Sequence, residues 1–223
     1  MTKYVRILTV FYDTEICYGE IPLFRGAVLK SLGNNANVLY HNHIGDDAFR
    51  YSYPLIQYKR LNGKAAITCV EGGVDLIGQI LSGLNESVKI GRREVKCKAL
   101  QVLPFNESIQ IENAYSIYKL YHWLPLNKKN YMEYQNSFEL TNKIRILERV
   151  LTGNILSFLK GIGVYIEEQF HIQITDILNQ KVITYKKTKL MAFDIKFRAN
   201  ILLPSYIGIG KNASIGNGVL IKL

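Results

Sequence analysis

Two histidines lie one residue apart in a polar stretch near residue 40. His41 and His43 are followed closely by Asp46 and Asp47. Histidine has an ordinary pKa of about 6.5 and can therefore donate or accept a proton near neutral pH. The pattern is also typical of a plain solvated loop, and His-x-His lacks the third ligand that a zinc site needs. We predict His41 and His43 as candidate acid and base, and we expect no metal and no cofactor.

A strand rich in tyrosine follows the histidines. Strand alternation between residues 53 and 60 would place Tyr53, Gln57 and Lys59 on one face. Tyrosine and lysine in this arrangement could stack on a base or stabilise negative charge on a crowded phosphate. The alternative is an ordinary amphipathic strand with an exposed lysine. Tyr53 and Lys59 are the second pair of candidate catalytic residues.

The chain closes with a glycine-rich segment at 208–218. Glycine permits positive φ and close backbone approach, so several N–H groups can converge on phosphate oxygens. The segment is not a Walker loop, because no Gly-Lys-Ser/Thr ends it. It is either a phosphate-binding loop or a hairpin that closes a sheet. The candidate phosphate-binding residues here are Gly208, Gly210, Lys211, Asn212, Gly216 and Gly218.

Positive charge is concentrated in the second half of the chain. The 223 residues carry a net charge of +10. Residues 1–110 hold 13 basic and 10 acidic side chains, against 15 and 8 in 111–223. This balance favours a polyanionic partner such as nucleic acid. Further candidate phosphate contacts are Arg25, Lys186, Lys187, Lys189, Lys196 and Arg198.

The elements that must position these residues follow from the hydrophobic pattern. The first half predicts a strand at 3–12, a helix at 23–32, a hairpin through Asn62-Gly63, a helix at 73–82 and a second hairpin at 88–103. This β-α-β-β-α-β order is the ferredoxin-like arrangement. The second half predicts a strand at 115–124, an amphipathic helix at 141–160 and later strands at 182–185, 190–203 and 219–223.

Both halves thus share one plan. We predict an α+β protein of tandem ferredoxin-like, RRM-like domains, an N-terminal domain at 1–110 carrying the histidines and a basic C-terminal domain at 111–223. No apolar run of about 18 residues is present, so no membrane span is expected. Three scattered cysteines favour reduced thiols and a cytoplasmic protein.

The glycine segment carries a family resemblance. It fits the pattern G-h-G-x-x-x-x-x-G-h-G, with a basic residue among the five central positions and Asn217 departing from the second hydrophobic position. In this pattern the chain resembles repeat-associated RNA-binding proteins of CRISPR systems. It is most similar to the endoribonuclease that cuts CRISPR repeat RNA into guide RNAs. The stretches 39–43 and 53–59 resemble its two-domain branch with a distinct N-terminal module.

The resemblance implies metal-independent cleavage of precursor CRISPR RNA by attack of a 2′-hydroxyl. The products would be a 2′,3′-cyclic phosphate and a 5′-hydroxyl. His41 or His43 would move protons, Lys59 with Tyr53 would stabilise the phosphorane, and the glycine segment would hold the RNA. The expected partner is CRISPR repeat RNA, with a second copy of the chain or effector-complex subunits as further possibilities. The alternative is a non-catalytic guide-RNA-binding subunit of an interference complex.

Overall fold

The computed structural model describes residues 2–33, 53–84 and 87–223, together with the backbone of residues 43–44 and 48–49. The chain divides into two compact units. The N-terminal unit comprises Tyr4–Glu107 and Ser214–Gly216, and the C-terminal unit comprises mainly Ser108–Ala213 and Asn217–Leu223. Each unit has its own sheet and helices.

The N-terminal unit alternates strands and helices as the sequence predicts. Its helices are α1 (Ile21–Leu32) and α2 (Ile77–Gly83), and a 3-10 turn at Glu71–Leu76 precedes α2. Its strands are β1 (Lys3–Glu15), β2 (His43–Ile44), β3 (Ala48–Phe49), β4 (Ile56–Leu61), β5 (Lys64–Val70), β6 (Ser87–Ile90), β7 (Arg93–Lys96) and β8 (Ala99–Ile109).

Four of these strands form one sheet in the order β4-β5-β1-β8. β4 pairs with β5, and β5 with β1, in antiparallel register. A β-α-β-β-α-β chain with this strand order is a ferredoxin-like fold. The β4–β5 turn is the predicted Asn62-Gly63 pair, whose φ angles of 50° and 85° suit a tight two-residue hairpin.

One face of the N-terminal sheet packs against α1. Pro22 lies in the first turn of that helix, where the missing N–H costs nothing, and Gly33 ends it with a φ of 55°. The ring of Phe24 meets Tyr12 and Tyr58 edge-on, with centroids 5.8 and 6.1 Å apart. The three aromatic side chains are fully buried and form the centre of this core.

The C-terminal unit repeats the sheet. Its strands are β9 (Ile111–Trp123), β10 (Ile172–Tyr185), β11 (Thr188–Ile201) and β12 (Val219–Lys222), and its helices are α3 (Lys128–Asn136) and α4 (Leu140–Gly161). The order β10-β11-β9-β12 matches that of the first sheet, position for position. The prediction of two ferredoxin-like folds in tandem is therefore confirmed.

The two units differ in their second helix. The N-terminal unit places α2 before its last two-stranded hairpin and β8. Between β11 and β12, residues 202–218 are all described and contain only a 3-10 turn at Ala213–Ile215. The glycine-rich segment thus occupies the position of a helix in the chain.

Three elements differ from the sequence-based expectation. The polar connection after β9 contains α3, which begins where Asn127 Oδ1 accepts a hydrogen bond from the Asn130 N–H at 2.8 Å. β10 is one long strand rather than the short strand predicted at 182–185. Bulges near Asp176 and Asn179 interrupt its alternation, so the sequence pattern did not show its full length. The predicted strand at 95–103 is divided at Lys98, whose N–H donates to Asp13.

None of the helices in the described ranges is long and apolar enough to cross a membrane.

Candidate functional site

Tyr53, Gln57 and Lys59 form a chain of hydrogen bonds in the N-terminal unit. Gln57 and Lys59 lie two residues apart on β4 and so share a face of the sheet. Lys59 Nζ donates to Gln57 Oε1 at 2.7 Å. Gln57 Nε2 donates to Tyr53 Oη at 2.7 Å and to the Pro54 carbonyl at 2.9 Å. The structure therefore joins the two predicted residues Tyr53 and Lys59 through Gln57.

Lys59 is completely buried. Burial lowers the pKa of its ammonium from the ordinary 10.5 to about 7, because desolvation disfavours the charged form. Within the described part of the chain, no carboxylate forms an ion pair with it. A buried lysine that titrates near neutral pH can exchange a proton or present a charge with little competing water. The alternative interpretation, an amphipathic strand with an exposed lysine, is wrong, since β4 is buried on both faces.

The same face of the sheet continues as a row of buried polar side chains. In the strand register Gln57 lies opposite Thr68 of β5, and Thr68 lies opposite Thr9 of β1. The two threonine hydroxyl oxygens are 3.2 Å apart, and both residues are fully buried. The sequence analysis did not identify this row. Its signal is a single polar residue with an apolar or aromatic neighbour on each side, in each of three strands.

The two candidate histidines lie largely outside the described residues. His41 is not described. His43 belongs to β2, where its backbone pairs with Phe49 of β3, and its side chain is not described. Their catalytic roles stay predictions.

The glycine-rich segment closes the C-terminal sheet. Gly208 bridges to Val219, Ile209 N–H donates to Gly218 O at 2.7 Å, and Gly218 N–H donates to His122 O at 3.1 Å. Gly218 has a φ of 65°, and a Cβ there would overlap the Ile209 carbonyl. A hairpin that closes a sheet was one of the two interpretations, and this geometry supports it. Phosphate binding by the same segment stays a prediction.

Residues in the middle of the segment approach two different surroundings. A Cβ on Gly210 would lie 2.7 Å from Asn154 Oδ1, a side chain that also accepts a hydrogen bond from Trp123. Gly216 belongs to the N-terminal unit, where a Cβ would lie 2.6 Å from Ile21 Cδ1 and 3.3 Å from the Tyr58 carbonyl oxygen of β4. Glycine at 216 therefore allows the segment to approach the backbone of the strand that carries Lys59.

The remaining predicted residues of the segment are polar. Lys211 is exposed. Asn212 has a φ of 59°, and its Nδ2 is buried without a hydrogen-bond partner in the described ranges. A buried amide donor in a loop is a position where an acceptor on a bound molecule would be accommodated.

The predicted basic residues are distributed over both units. Arg25 is half-buried on α1. The β10–β11 turn holds Lys186 and Lys187, with φ angles of 46° and 65°, and Lys189 follows them on β11. Lys196 and Arg198 also lie on β11, and Arg198 stacks over Tyr115 with its guanidinium carbon 5.2 Å from the ring centroid.

A further polar cluster surrounds His122 at the end of β9. His122 has a φ of 52°, and its N–H donates to Asp194 Oδ1 at 2.6 Å. Its Nε2 lies 2.8 Å from Lys181 Nζ, and Asn179 Nδ2 donates to Asp194 Oδ2 at 3.2 Å. This cluster bonds β9 to both β10 and β11, and the backbone carbonyl of His122 is also the acceptor for the Gly218 N–H.

Comparison with solved structures shows which proteins share this fold. The fold matches a crystal structure of Cas6b with a TM-score of 0.86 and 26% identity, covering 99% of this chain and 100% of the other. A second structure is of a CRISPR RNA processing endoribonuclease, Cas6b, and has a TM-score of 0.72 and 24% identity over the full length of both chains. Two ferredoxin-like units in tandem thus define the chain as a protein of the Cas6 fold.

Family models identify the branch. The model of the Cas6b N-terminal domain matches residues 3–108, and that of the Cas6b C-terminal domain matches residues 110–223. The chain therefore belongs to the Cas6b family, and the resemblance found in its sequence is confirmed. An uncharacterized protein of Methanocaldococcus jannaschii is 31% identical over 147 residues, which are 66% of this chain and 99% of that protein.

Proposed function

We propose that this chain is a metal-independent endoribonuclease that binds CRISPR repeat RNA and cuts the precursor into guide RNAs in the cytoplasm. Membership of the Cas6b family supports the substrate and the reaction class. The observation that carries a catalytic role is Lys59, fully buried, with a pKa near 7 and linked through Gln57 to Tyr53. Buried titratable groups with a strongly shifted pKa are concentrated at active sites.

The reaction is an internal transesterification. The 2′-oxygen upstream of the scissile phosphate forms a bond to phosphorus, and the bond from phosphorus to the 5′-oxygen breaks. One of His41 and His43 accepts the 2′-hydroxyl proton, and the other donates a proton to the departing 5′-oxygen. Proton transfer of this kind contributes about 10²–10⁴-fold to the rate.

Lys59 supplies the third contribution. In its protonated form it stabilises the extra negative charge of the phosphorane, and a buried charge does so more effectively than an exposed one. Gln57 fixes the ammonium by accepting one of its hydrogens, and Tyr53 Oη fixes Gln57 in turn. Tyr53 and Gln57 are thus assigned to orient the lysine.

RNA is held by groups outside this chain of hydrogen bonds. We assign repeat binding to Lys211 and Asn212 of the glycine-rich segment and to the basic residues Arg25, Lys186, Lys187, Lys189, Lys196 and Arg198. These groups contact phosphates, which position the RNA without moving protons. A second copy of the chain, or effector-complex subunits, would join this complex, and the mass of the protein with and without RNA in solution tests that expectation.

Cleavage of labelled repeat RNA in excess EDTA tests the proposal. The same RNA with one 2′-deoxy nucleotide at the cut site is the matched control. We expect cutting in EDTA, 2′,3′-cyclic phosphate ends, and no cutting of the deoxy substrate. Tight binding without cutting would instead indicate a non-catalytic RNA-binding subunit, and cutting that needs added metal would show that the proposed chemistry is wrong.

A further inference from the structure

Among the helices in the described ranges, none covers one face of the C-terminal sheet. The opposite face carries Phe193 and Phe197, which are fully buried, and Tyr134 of α3 packs on Phe193 with ring centroids 5.8 Å apart. Residues alternate between the two faces of a strand. The helix-free face therefore carries the intervening positions of β9 and β11. They are Tyr115, Ile117, Lys119, Asp194, Lys196 and Arg198.

Two lysines oppose each other in the middle of this face. The register pairs Lys119 of β9 directly with Lys196 of β11. Like charges directly opposite across a strand pair destabilise a sheet. Asp176 lies opposite Lys196 on the other side, yet among residues 2–33, 53–84 and 87–223 no carboxylate comes within 4 Å of either ammonium. The pair thus forms a local surplus of positive charge that an anion would relieve.

A stacked pair lies next to the lysines. The guanidinium of Arg198 lies over the ring of Tyr115, and Arg198 Nε donates to Gln173 Oε1 at 2.7 Å. The glutamine hydrogen bond fixes the guanidinium plane. Tyr115 is 46% exposed and its neighbour Ile117 is 43% exposed, so a planar group can reach both. Exposed aromatic rings with adjacent cations are how proteins stack single-stranded bases.

The fold does not require such a face. In the N-terminal sheet, the face opposite α1 carries Thr9, Ala66 and Thr68, all fully buried. Two sheets with one strand order thus differ in chemistry at equivalent positions. The exposed aromatic and basic residues of the C-terminal face are therefore specific to this sequence and are not needed by the fold. They are suited to binding a ligand.

We propose that the helix-free face of the C-terminal sheet binds an unpaired segment of the RNA. Tyr115 and Arg198 stack on a base, and Lys119 and Lys196 contact successive phosphates. The occupant is single-stranded RNA because a duplex hides its base planes within the stack, whereas an unpaired strand offers both planes and phosphates. This inference rests on the proposed repeat-RNA endoribonuclease function and assigns it a second binding surface.

Fluorescence anisotropy with the full chain tests the surface. The probes are a labelled 12-nucleotide oligouridylate and a 12-base-pair RNA duplex, each titrated over a range of salt concentrations. Tyr115→Leu is compared with Tyr131→Leu, a tyrosine of similar exposure on α3. The double variant Lys119→Ala, Lys196→Ala is compared with Lys128→Ala, Lys129→Ala, two exposed lysines at the start of α3.

The variants should differ in how they change the affinity for oligouridylate and its salt dependence. We expect Tyr115→Leu to weaken oligouridylate binding about 5- to 20-fold without changing its salt dependence, because stacking releases no counterions. The lysine pair should lower the slope of log Kd against log salt by about 1.4, or 0.7 for each phosphate contact. The α3 controls should bind like the wild type. Circular dichroism melting of each variant verifies that it is folded.

Two results would overturn the inference. One is equal affinity of Tyr115→Leu and wild type for oligouridylate, and the other is an equal loss for the duplex, which would show general charge binding. Repeat-RNA cleavage by the wild type is measured beside these titrations. Cleavage with unaltered oligouridylate binding rejects this surface alone, whereas absence of cleavage rejects the proposed function on which it rests.

Discussion

The two units of the chain have the same strand order but different chemistry on the sheet face that lies opposite the helices described above. In the N-terminal sheet that face is buried and contains Lys59, Gln57 and the threonine row. In the C-terminal sheet it is half-exposed and contains two opposed lysines and the Tyr115–Arg198 stack. A buried lysine is suited to act on a reacting group, and exposed cations are suited to hold a backbone. One duplicated fold can thus serve cutting in one unit and binding in the other.

The largest expected effect comes from the histidines, which we assign to the N-terminal unit. Replacing both, His41→Ala with His43→Ala, should lower the single-turnover cleavage rate by at least about 10³-fold, because acid and base are lost together. The Kd for repeat RNA should change less than about threefold. His171→Ala, an exposed histidine of the C-terminal unit, is the control. A loss of affinity as large as the loss of rate would contradict the assignment.

The next effect comes from the buried lysine. Lys59→Met keeps the shape and removes the charge, and we expect the cleavage rate to fall about 10²–10³-fold, as when one charge-stabilising donor is removed from an active site. Lys89→Met, which changes an exposed lysine of the same unit, should leave the rate unaltered. An unaltered rate in Lys59→Met would show that Lys59 is structural.

The burial of Lys59 also predicts how the free energy of unfolding depends on pH. Burial lowers its pKa to about 7, so above pH 7 the folded chain has released a proton that the unfolded chain still holds. The free energy of unfolding should therefore rise by about 1–2 kcal/mol between pH 7 and 8.5 from this group. Urea unfolding of wild type and Lys59→Met at both pH values measures the difference. The same rise in both proteins would contradict a depressed pKa.

The glycine-rich segment lies between β11 and β12, at the point in the chain where the N-terminal unit has α2. We expect substitutions of its glycines to change stability. Gly218→Ala should destabilise the chain by about 2–4 kcal/mol, since φ is 65° and the new Cβ would meet the Ile209 carbonyl. Gly153→Ala is the matched control in α4. Its Cβ would meet nothing within 4 Å, so it should stabilise by about 0.5–1 kcal/mol. Similar unfolding midpoints for both variants would contradict this packing.

The smallest effect belongs to Lys211 in the same segment. Lys211→Ala should weaken repeat-RNA binding several-fold and lower its salt slope by about 0.7–1, as expected for one lost phosphate contact. Lys222→Ala, an exposed lysine at the chain end, is the control. If Lys211→Ala changed the cleavage rate at saturating protein, the division between cutting and binding units would need revision.

Much of the fold could be predicted because its signals are local. Asn62-Gly63 specifies a tight turn, Pro22 and Gly33 delimit α1, and the apolar stripe of α4 is continuous. α3 escaped prediction because its start depends on the Asn127 cap and its packing on Tyr134 against Phe193. Neither the cap nor the aromatic contact produces a periodic pattern of apolar residues in the sequence.

The site was harder to predict than the fold because burial is a tertiary property. Lysine in an alternating strand ordinarily marks a solvated face, and only the folded sheet shows that both faces of β4 are buried. The bridging role of Gln57 and the opposition of Lys119 to Lys196 depend on side-chain geometry and strand register. Residue types suggested candidates, and the register of the sheets brought them together.

The division of labour between the two units is tested most directly by single-turnover cleavage of repeat RNA as a function of protein concentration. Lys59→Met, Lys211→Ala and the variant that combines these two substitutions are measured beside the wild type. The account predicts that saturating protein restores the wild-type rate to Lys211→Ala and leaves Lys59→Met slow by about 10²-fold or more. Restoration of Lys59→Met at high concentration, or persistent slowness of Lys211→Ala, would contradict it.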